Sequence, residues 1–286
     1  MDGSLKRLVE IIKKTKINCK FTILEIGALQ FENSKEPFYQ LLEYFPSSEI
    51  IGFEIDKELC DKMNSKASKG VKYYPHALGE RNEKKKLYNT QNPMCTSLYK
   101  PNESLISLYN NLEVSYLKNE TETETIALDT FVSKHNIDEI DLIKIDVQGA
   151  ELDVFKGGKN SIKNVLNIIC EVEFVSIYEN QPLFGDINNF LSQYEFMFQK
   201  FLTIAGRTLK PLKPKNSIAA SHHMWADAVY IRHVEKIRNL SDEKLLKLSL
   251  LSTIYGSVDL AYYCLLAYDK RNSSSLTTDW ISQKNE

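Results

Sequence analysis

The stretch IDLIKIDVQGAELDVFKGG, residues 140–158, decides the fold. Leu142, Ile143 and Ile145 form the apolar run of a central strand, and Asp146 stands where that strand should stop. Val147, Gln148 and Gly149 turn the chain, and a helical pattern begins at Glu151 and continues through Phe155. In an open parallel sheet, ligands bind in the crevice beyond the carboxyl ends of the strands, which puts Asp146 where chemistry takes place. Taken alone, the same residue reads equally well as a cap for the helix that follows.

Working outward, short apolar runs alternate with helical segments. Strands are expected over 21–26, 49–55 and 71–74, with helices around 38–45 and 57–68. Further strands are expected at 165–174, 196–204 and 226–232, with a helix over 186–194. Such alternation is the pattern of βαβ units and predicts an α/β, doubly wound, mostly parallel sheet. The middle is less regular. Residues 84–88 and 121–126 read as short exposed strands, 128–135 as a helix, and 90–102, with Pro93 and Pro101, as a loop. A second loop is expected over 208–221, which holds Pro211 and Pro214.

The composition shifts beyond Val234. Ser241, followed by Asp242 and Glu243, is a helix start. Leu248, Leu251, Tyr255, Val258, Tyr262 and Leu265 then recur at steps of three and four, a heptad-like stripe. The stripe reads as a helix docking on its own domain or, alternatively, as a homodimer seam over 241–268. The expected division is a catalytic domain over 1–235, a helical extension over 236–270 and a disordered tail over 271–286.

A net charge of −2 provides no bulk attraction to nucleic acid or to an anionic membrane. The five cysteines, Cys19, Cys60, Cys95, Cys170 and Cys264, are scattered and form no C-x-x-C pair, which argues against a disulfide framework and suits a reducing cytoplasm. The amphipathic pattern of residues 1–14 lacks the apolar core of a signal peptide. No segment has the ~18 consecutive apolar residues of a membrane span.

Three strand ends carry a carboxylate: Glu25 before Gly27, Glu54 after Phe53, and Asp146 after Ile145. An acid at the second position can accept hydrogen bonds from both hydroxyls of a ribose, as in dinucleotide folds. Glu54 suits that role best, with Asp56 as the alternative. A nicotinamide or flavin site needs G-x-G-x-x-G to seat a pyrophosphate. Here the loop reads Gly27, Ala28, Leu29, Gln30, which is poor for a pyrophosphate and adequate for S-adenosyl-L-methionine. Candidate general bases are Asp146, Glu173, His222 and His223. The histidine pair precedes a strand returning to the sheet, and a neutral imidazole is a suitable base near pH 7. It reads as well as two solvent-facing loop histidines. The pair with Asp146 or Glu173 is also a conceivable divalent-metal site, but no ligand spacing calls for a metal and none is favoured.

The run over 140–158 resembles the signature of the FkbM family of S-adenosylmethionine-dependent methyltransferases, in Lys144, Ile145, Asp146, Val147, Gln148, Gly149, Glu151 and Gly157. The resemblance extends to LEIGA (24–28), GFEID (52–56), HALGE (76–80), TSL (96–98), ALDTF (127–131) and WADAVYIR (225–232). It implies a class I methyltransferase fold, a Rossmann-like seven-stranded sheet whose last strand runs antiparallel. It implies S-adenosyl-L-methionine as cofactor and a hydroxyl-bearing acceptor: a sugar, glycan or related natural product. Residue by residue, the resemblance puts Glu25, Gly27 and Ala28 near the methionine part, Glu54 and Ile55 at the ribose, Ala77 and Leu78 near the adenine, and Asp146 beside the sulfonium. Two departures stand out: Gln148 replaces the more usual acid, and Leu29 and Gln30 stand where glycine or asparagine is frequent. The rival readings are an inactive methyltransferase-like scaffold acting through its C-terminal helix, and a methyltransferase acting on nitrogen. Against the last, the chain lacks Asn-Pro-Pro-aromatic and Asp-Pro-Pro-aromatic motifs.

Overall fold

The computed structural model describes residues 2–28, 35–212 and 222–282, with side chains from Leu5 onward. The strands are β1 (Thr22–Ile26), β2 (Glu49–Phe53), β3 (Val71–Tyr74), β4 (Ala77–Gly79), β5 (Glu83–Thr90), β6 (Leu117–Ala127), β7 (Leu142–Ile145), β8 (Asn167–Glu173), β9 (Phe196–Arg207) and β10 (His222–Arg232). The first helices are α1 (Asp2–Lys13), α2 (Gln40–Tyr44), α3 (Lys57–Lys66), α4 (Glu103–Ile106), α5 (Leu128–Lys134) and α6 (Glu151–Gly157). They are followed by α7 (Phe184–Ser192), α8 (Val234–Ile237), α9 (Asp242–Ile254), α10 (Val258–Asn272) and α11 (Leu276–Ile281).

Seven strands form the main sheet in the order β3-β2-β1-β7-β8-β10-β9. Pairing is parallel from β3 through β8, and β10 runs antiparallel to both its neighbours. The expected α/β class and the inverted last strand are both present. The sheet order reverses beside β1, so the ends of β1 and β7 border the crevice where such sheets bind ligands.

Every residue of β1 and β7 is buried because both faces of the sheet are covered. Side chains alternate between the two faces. Ile23, Leu142, Ile169 and Val229 pack with α1, α9, α10 and α11 on one face. Leu24, Ile26, Ile143, Ile145 and Cys170 pack with α5, α6 and α7 on the other. Lys144, at the centre of β7, falls on the first face and is only 8% exposed. Its ammonium reaches Asp227 Oδ1 at 2.9 Å, an ion pair that makes a lysine tolerable there.

A separate three-stranded sheet has the order β4-β6-β5. The segments expected as short strands at 84–88 and 121–126 are one long antiparallel ribbon, pairing Glu83 with Thr125 and Thr90 with Leu117. Alternating threonine and glutamate on β6 face lysines on β5, and Lys86 reaches Glu120 at 2.7 Å.

The C-terminal stripe is not one continuous helix. The chain breaks between α9 and α10 at Gly256, whose φ is +69°. Leu248, Leu251 and Leu265 turn into the core, while Val258 and Tyr262 are exposed. Ser241 Oγ caps α9 through Lys244 N, as the sequence suggests. The tail corrects the expectation of disorder after Arg271: α10 continues to Asn272, and α11 packs against α1 through Leu276 and Trp280. Asp269 organises this turn by accepting bonds from Leu276 N and Thr277 N. Hydrophobic spacing could not show the helix, because α11 has six residues and two anchors. Residues 283–286 lie outside the described residues.

Candidate active site

A cleft, partly open to solvent, lies at the carboxyl ends of β1, β2 and β7. One wall is Ile26 and Gly27 after β1, Phe53, Glu54 and Ile55 after β2, and Asp146, Val147 and Gln148 after β7. His76, Ala77 and Leu78 form the far end, and the facing wall is Leu87 with Pro93, Met94, Thr96, Ser97 and Leu98.

The loops after β1 and β7 touch at the backbone. Asp146 N donates to Ile26 O at 2.9 Å, and a Cβ on Gly27 would lie 1.9 Å from the Asp146 carbonyl oxygen. Gly27 also has φ +80°, so both space and conformation call for glycine. The turn after Asp146 is tight as well. Gln148 has φ +57°, a left-handed conformation rare for a residue with a long side chain, and Gly149 has φ +97°. Glu151 holds the turn by accepting bonds from Val147 N at 2.8 Å and Gly149 N at 3.2 Å.

Gln148 is the hub of the site. Its amide Nε2 donates to Asp146 Oδ1 at 2.8 Å and to Glu171 Oε2 at 2.7 Å. Its Oε1 lies 3.0 Å from the Tyr178 hydroxyl, and Ser97 Oγ donates to its backbone carbonyl at 2.6 Å. Carboxylate oxygens of Asp146, Glu151 and Glu171 come within 4.8 Å of one another, close enough to hold a metal ion. The Gln148 amide already donates to two of the three, so the cluster has a neutral hydrogen-bond bridge where a cation would otherwise balance it.

Burial governs Glu151 and Glu171. It pushes Glu151 up to about 7 and Glu171 well above the usual carboxylate range, the latter with the charges of Asp146 and Glu173 adding to the effect. Glu173 is raised by burial and then by Glu151. Burial opposes the charge of Lys144, but Asp146 and Asp227 outweigh it and hold the ammonium above its ordinary value. Glu54, 7% exposed on the cleft wall, is raised by burial, and its Oε1 accepts from Asp56 N at 2.9 Å.

The structure brings together Gly27, Glu54, Ile55, Ala77, Leu78 and Asp146 of the residues expected from sequence. Five others lie elsewhere. Glu25 alternates onto the opposite face with Ile23, where its Oε2 accepts from the Tyr39 hydroxyl at 2.6 Å. Ala28 packs with Cys60 and Tyr73 behind the loop. Glu173, two residues beyond Glu171 at the end of β8, is 2% exposed with an unpaired Oε2, and it does not line the cleft. His222 and His223 begin β10 against Arg207 and Gly206 at the sheet edge, and His222 Nδ1 lies 2.7 Å from the Tyr109 hydroxyl. Both histidines are exposed and outside the cleft. Asp56 caps α3 through Leu59 N. Leu29 and Gln30 lie outside the described residues. Sequence reasoning missed Met94, Ser97 and Gln148 as site residues, although the TSL triplet at 96–98 was a signal.

A family model described as the methyltransferase FkbM domain matches residues 25–198. Over 76 residues, 27% of this chain and 31% of the relative, the sequence is 38% identical to the 2-O-methyltransferase NoeI of Sinorhizobium fredii (strain NBRC 101917 / NGR234). The match thus spans under a third of that relative's length. Among solved structures, a LepI complex with SAM is similar at TM-score 0.34 and 7% identity, covering 80% of this chain and 46% of that one. A protein of the NADB-Rossmann superfamily from Streptococcus agalactiae is similar at TM-score 0.32 and 13% identity, covering 92% of this chain and 96% of that one. Overlaps this loose carry no argument about the site.

Proposed function

Because the chain belongs to the FkbM methyltransferase family, we propose that it transfers a methyl group from S-adenosyl-L-methionine to a hydroxyl oxygen of a sugar, glycan or related natural product. The observation that carries the reading is the cleft itself, with Glu54 and Asp146 on one wall, at the ends of adjoining parts of the sheet. The residues fit the cofactor. Phe53, Ile55, Leu78 and Leu87 offer apolar surface to a flat base, Glu54 offers a carboxylate to a ribose diol, and Asp146 offers one to a sulfonium. The single glycine of the first loop leaves room for a ligand without phosphates. The 2-O-methyltransferase similarity favours oxygen over nitrogen as the acceptor atom.

The cofactor supplies an electrophilic methyl group whose sulfonium charge disappears on transfer. Carboxylates that favour the charged donor bind it and do not themselves speed the step. The protein's larger contribution is alignment, worth up to about 7 to 11 kcal/mol, with about 10²- to 10⁴-fold from a general base. In this reading Asp146 positions the donor and accepts the acceptor's proton. Gln148 fixes the carboxylate by its hydrogen bond and by its bond to Glu171.

Calorimetry with S-adenosyl-L-methionine and a methyl-transfer assay test this together. Glu54→Ala is expected to weaken cofactor binding by about tenfold or more, and Asp146→Ala to lower turnover by about 10²-fold or more. No binding at millimolar cofactor, or wild-type turnover by Asp146→Ala, would overturn the reading.

A further inference from the structure

A small apolar cluster of Tyr109, Tyr178, Met224 and Trp225 ends in the guanidinium of Arg207, which has no acidic partner among the described residues. Arg207, the last residue of β9, stacks over the Trp225 ring with its central carbon 4.6 Å from the ring centroid. Its Nη1 donates to the Gly206 carbonyl at 2.9 Å. Its Nε is shielded from water and has no hydrogen-bond partner among the described residues. Burial pushes the guanidinium below its ordinary value. A shielded donor left unmatched is costly.

The position of this group relative to the site gives it meaning. The Tyr178 hydroxyl lies 3.0 Å from Gln148 Oε1 and 2.9 Å from the Cys95 carbonyl. Burial raises the Cys95 thiol, and among smaller influences Asp146 raises it while Arg207 lowers it, so Cys95 is within electrostatic reach of both. Trp225 packs against the cluster that holds Tyr178, so Arg207 is linked to Gln148 through these two side chains. The ammonium of Lys144, favoured by Asp146, is already engaged by Asp227.

We propose that the methyl acceptor carries an anionic group, a carboxylate, sulfate or phosphate, and that Arg207, backed by the Trp225 ring, holds it. The proposal rests on the methyltransferase reading of the cleft. A guanidinium presents a planar fork that matches all three anions, and an incoming oxygen supplies the acceptor that Nε lacks. Trp225 limits the directions from which that oxygen approaches, and the Gly206 carbonyl fixes the fork's orientation.

The test uses the full chain labelled with ¹⁵N-arginine. The Arg207 Nε–H signal, assigned with Arg207→Lys, is followed while acetate, sulfate or inorganic phosphate replaces chloride at constant ionic strength. A saturable shift is expected with at least one of the three, and the tightest binder names the anion class. Calorimetry of that anion should show Arg207→Gln weakened about tenfold or more. A wild-type signal that does not saturate with any of them overturns the proposal, as does undiminished binding by Arg207→Gln. Calorimetry with S-adenosyl-L-methionine on the same wild-type sample separates the two readings. Cofactor binding without anion binding sinks this inference alone. Anion binding without cofactor binding removes its role in holding a methyl acceptor.

Discussion

At the scale of single residues, the site depends on a backbone position, Gly27, that only glycine suits. Gly27→Ala would drive a Cβ to within 1.9 Å of the Asp146 carbonyl at a φ of +80°. The variant should lose cofactor affinity in calorimetry and melt at a lower temperature; an unchanged affinity would refute the link between the two loops. Glu151 gives a pH signature. Burial moves its carboxyl from 4.5 to about 7, so the folded chain holds a proton that the unfolded chain has released. Its contribution to stability is complete below about pH 4.5 and is lost as pH rises through about 7. Glu151→Gln, which keeps an oxygen for Val147 N and Gly149 N, should show a smaller loss of stability across that window in urea unfolding. Equal losses in wild type and variant would count against a proton held there. Asp146 and Glu54 were legible in the sequence because each ends an apolar run. Glu25 also ends a run, but strand alternation sends its side chain to the face of Ile23, toward the Tyr39 hydroxyl. Gln148 was noticed as a departure from the family pattern, but its role depends on Glu171 and Tyr178, which are 23 and 30 residues away and invisible to local reading.

At the scale of elements, the sheet was readable because its strands are buried on both faces and therefore nearly continuous in apolar character. The ribbon of β5 and β6 was harder: its faces are exposed and its pairing joins residues up to 42 apart, as in Thr125 with Glu83. The terminal helices show another limit. Steps of three and four persist across Tyr255 and Val258, yet Gly256 breaks the helix and folds the stripe back on itself. Periodicity reports which residues are apolar, not where a glycine lets the chain turn. In α11, Trp280 is 8% exposed in the core shared with α1. Trp280→Ala should cost about 3 to 5 kcal/mol, the usual range for removing a large core aromatic. A chemical-denaturation midpoint equal to wild type would show that α11 is not anchored there.

At the scale of the whole molecule, α1, α9, α10 and α11 share one apolar cluster with residues of β1, β7, β8 and β10. Lys247 of α9 adds a buried ion pair to Asp141, 3.1 Å away just before β7, and Asp141 also accepts from Thr22 N of β1. The helices following Val234 are thus fastened to the centre of the sheet, and thermal unfolding should be one transition with equal calorimetric and van't Hoff enthalpies. Two separated transitions would show that the C-terminal helices unfold alone. The meeting of Gly27 with the Asp146 carbonyl also bears on how such a protein can change over generations. The stretch that would grip the donor and the stretch that would act on it share one backbone contact, so neither can drift alone. Variants selected for a different cofactor analogue should arrive with compensating changes in the 146–149 turn, and libraries that diversify only one of the two segments should yield few active members.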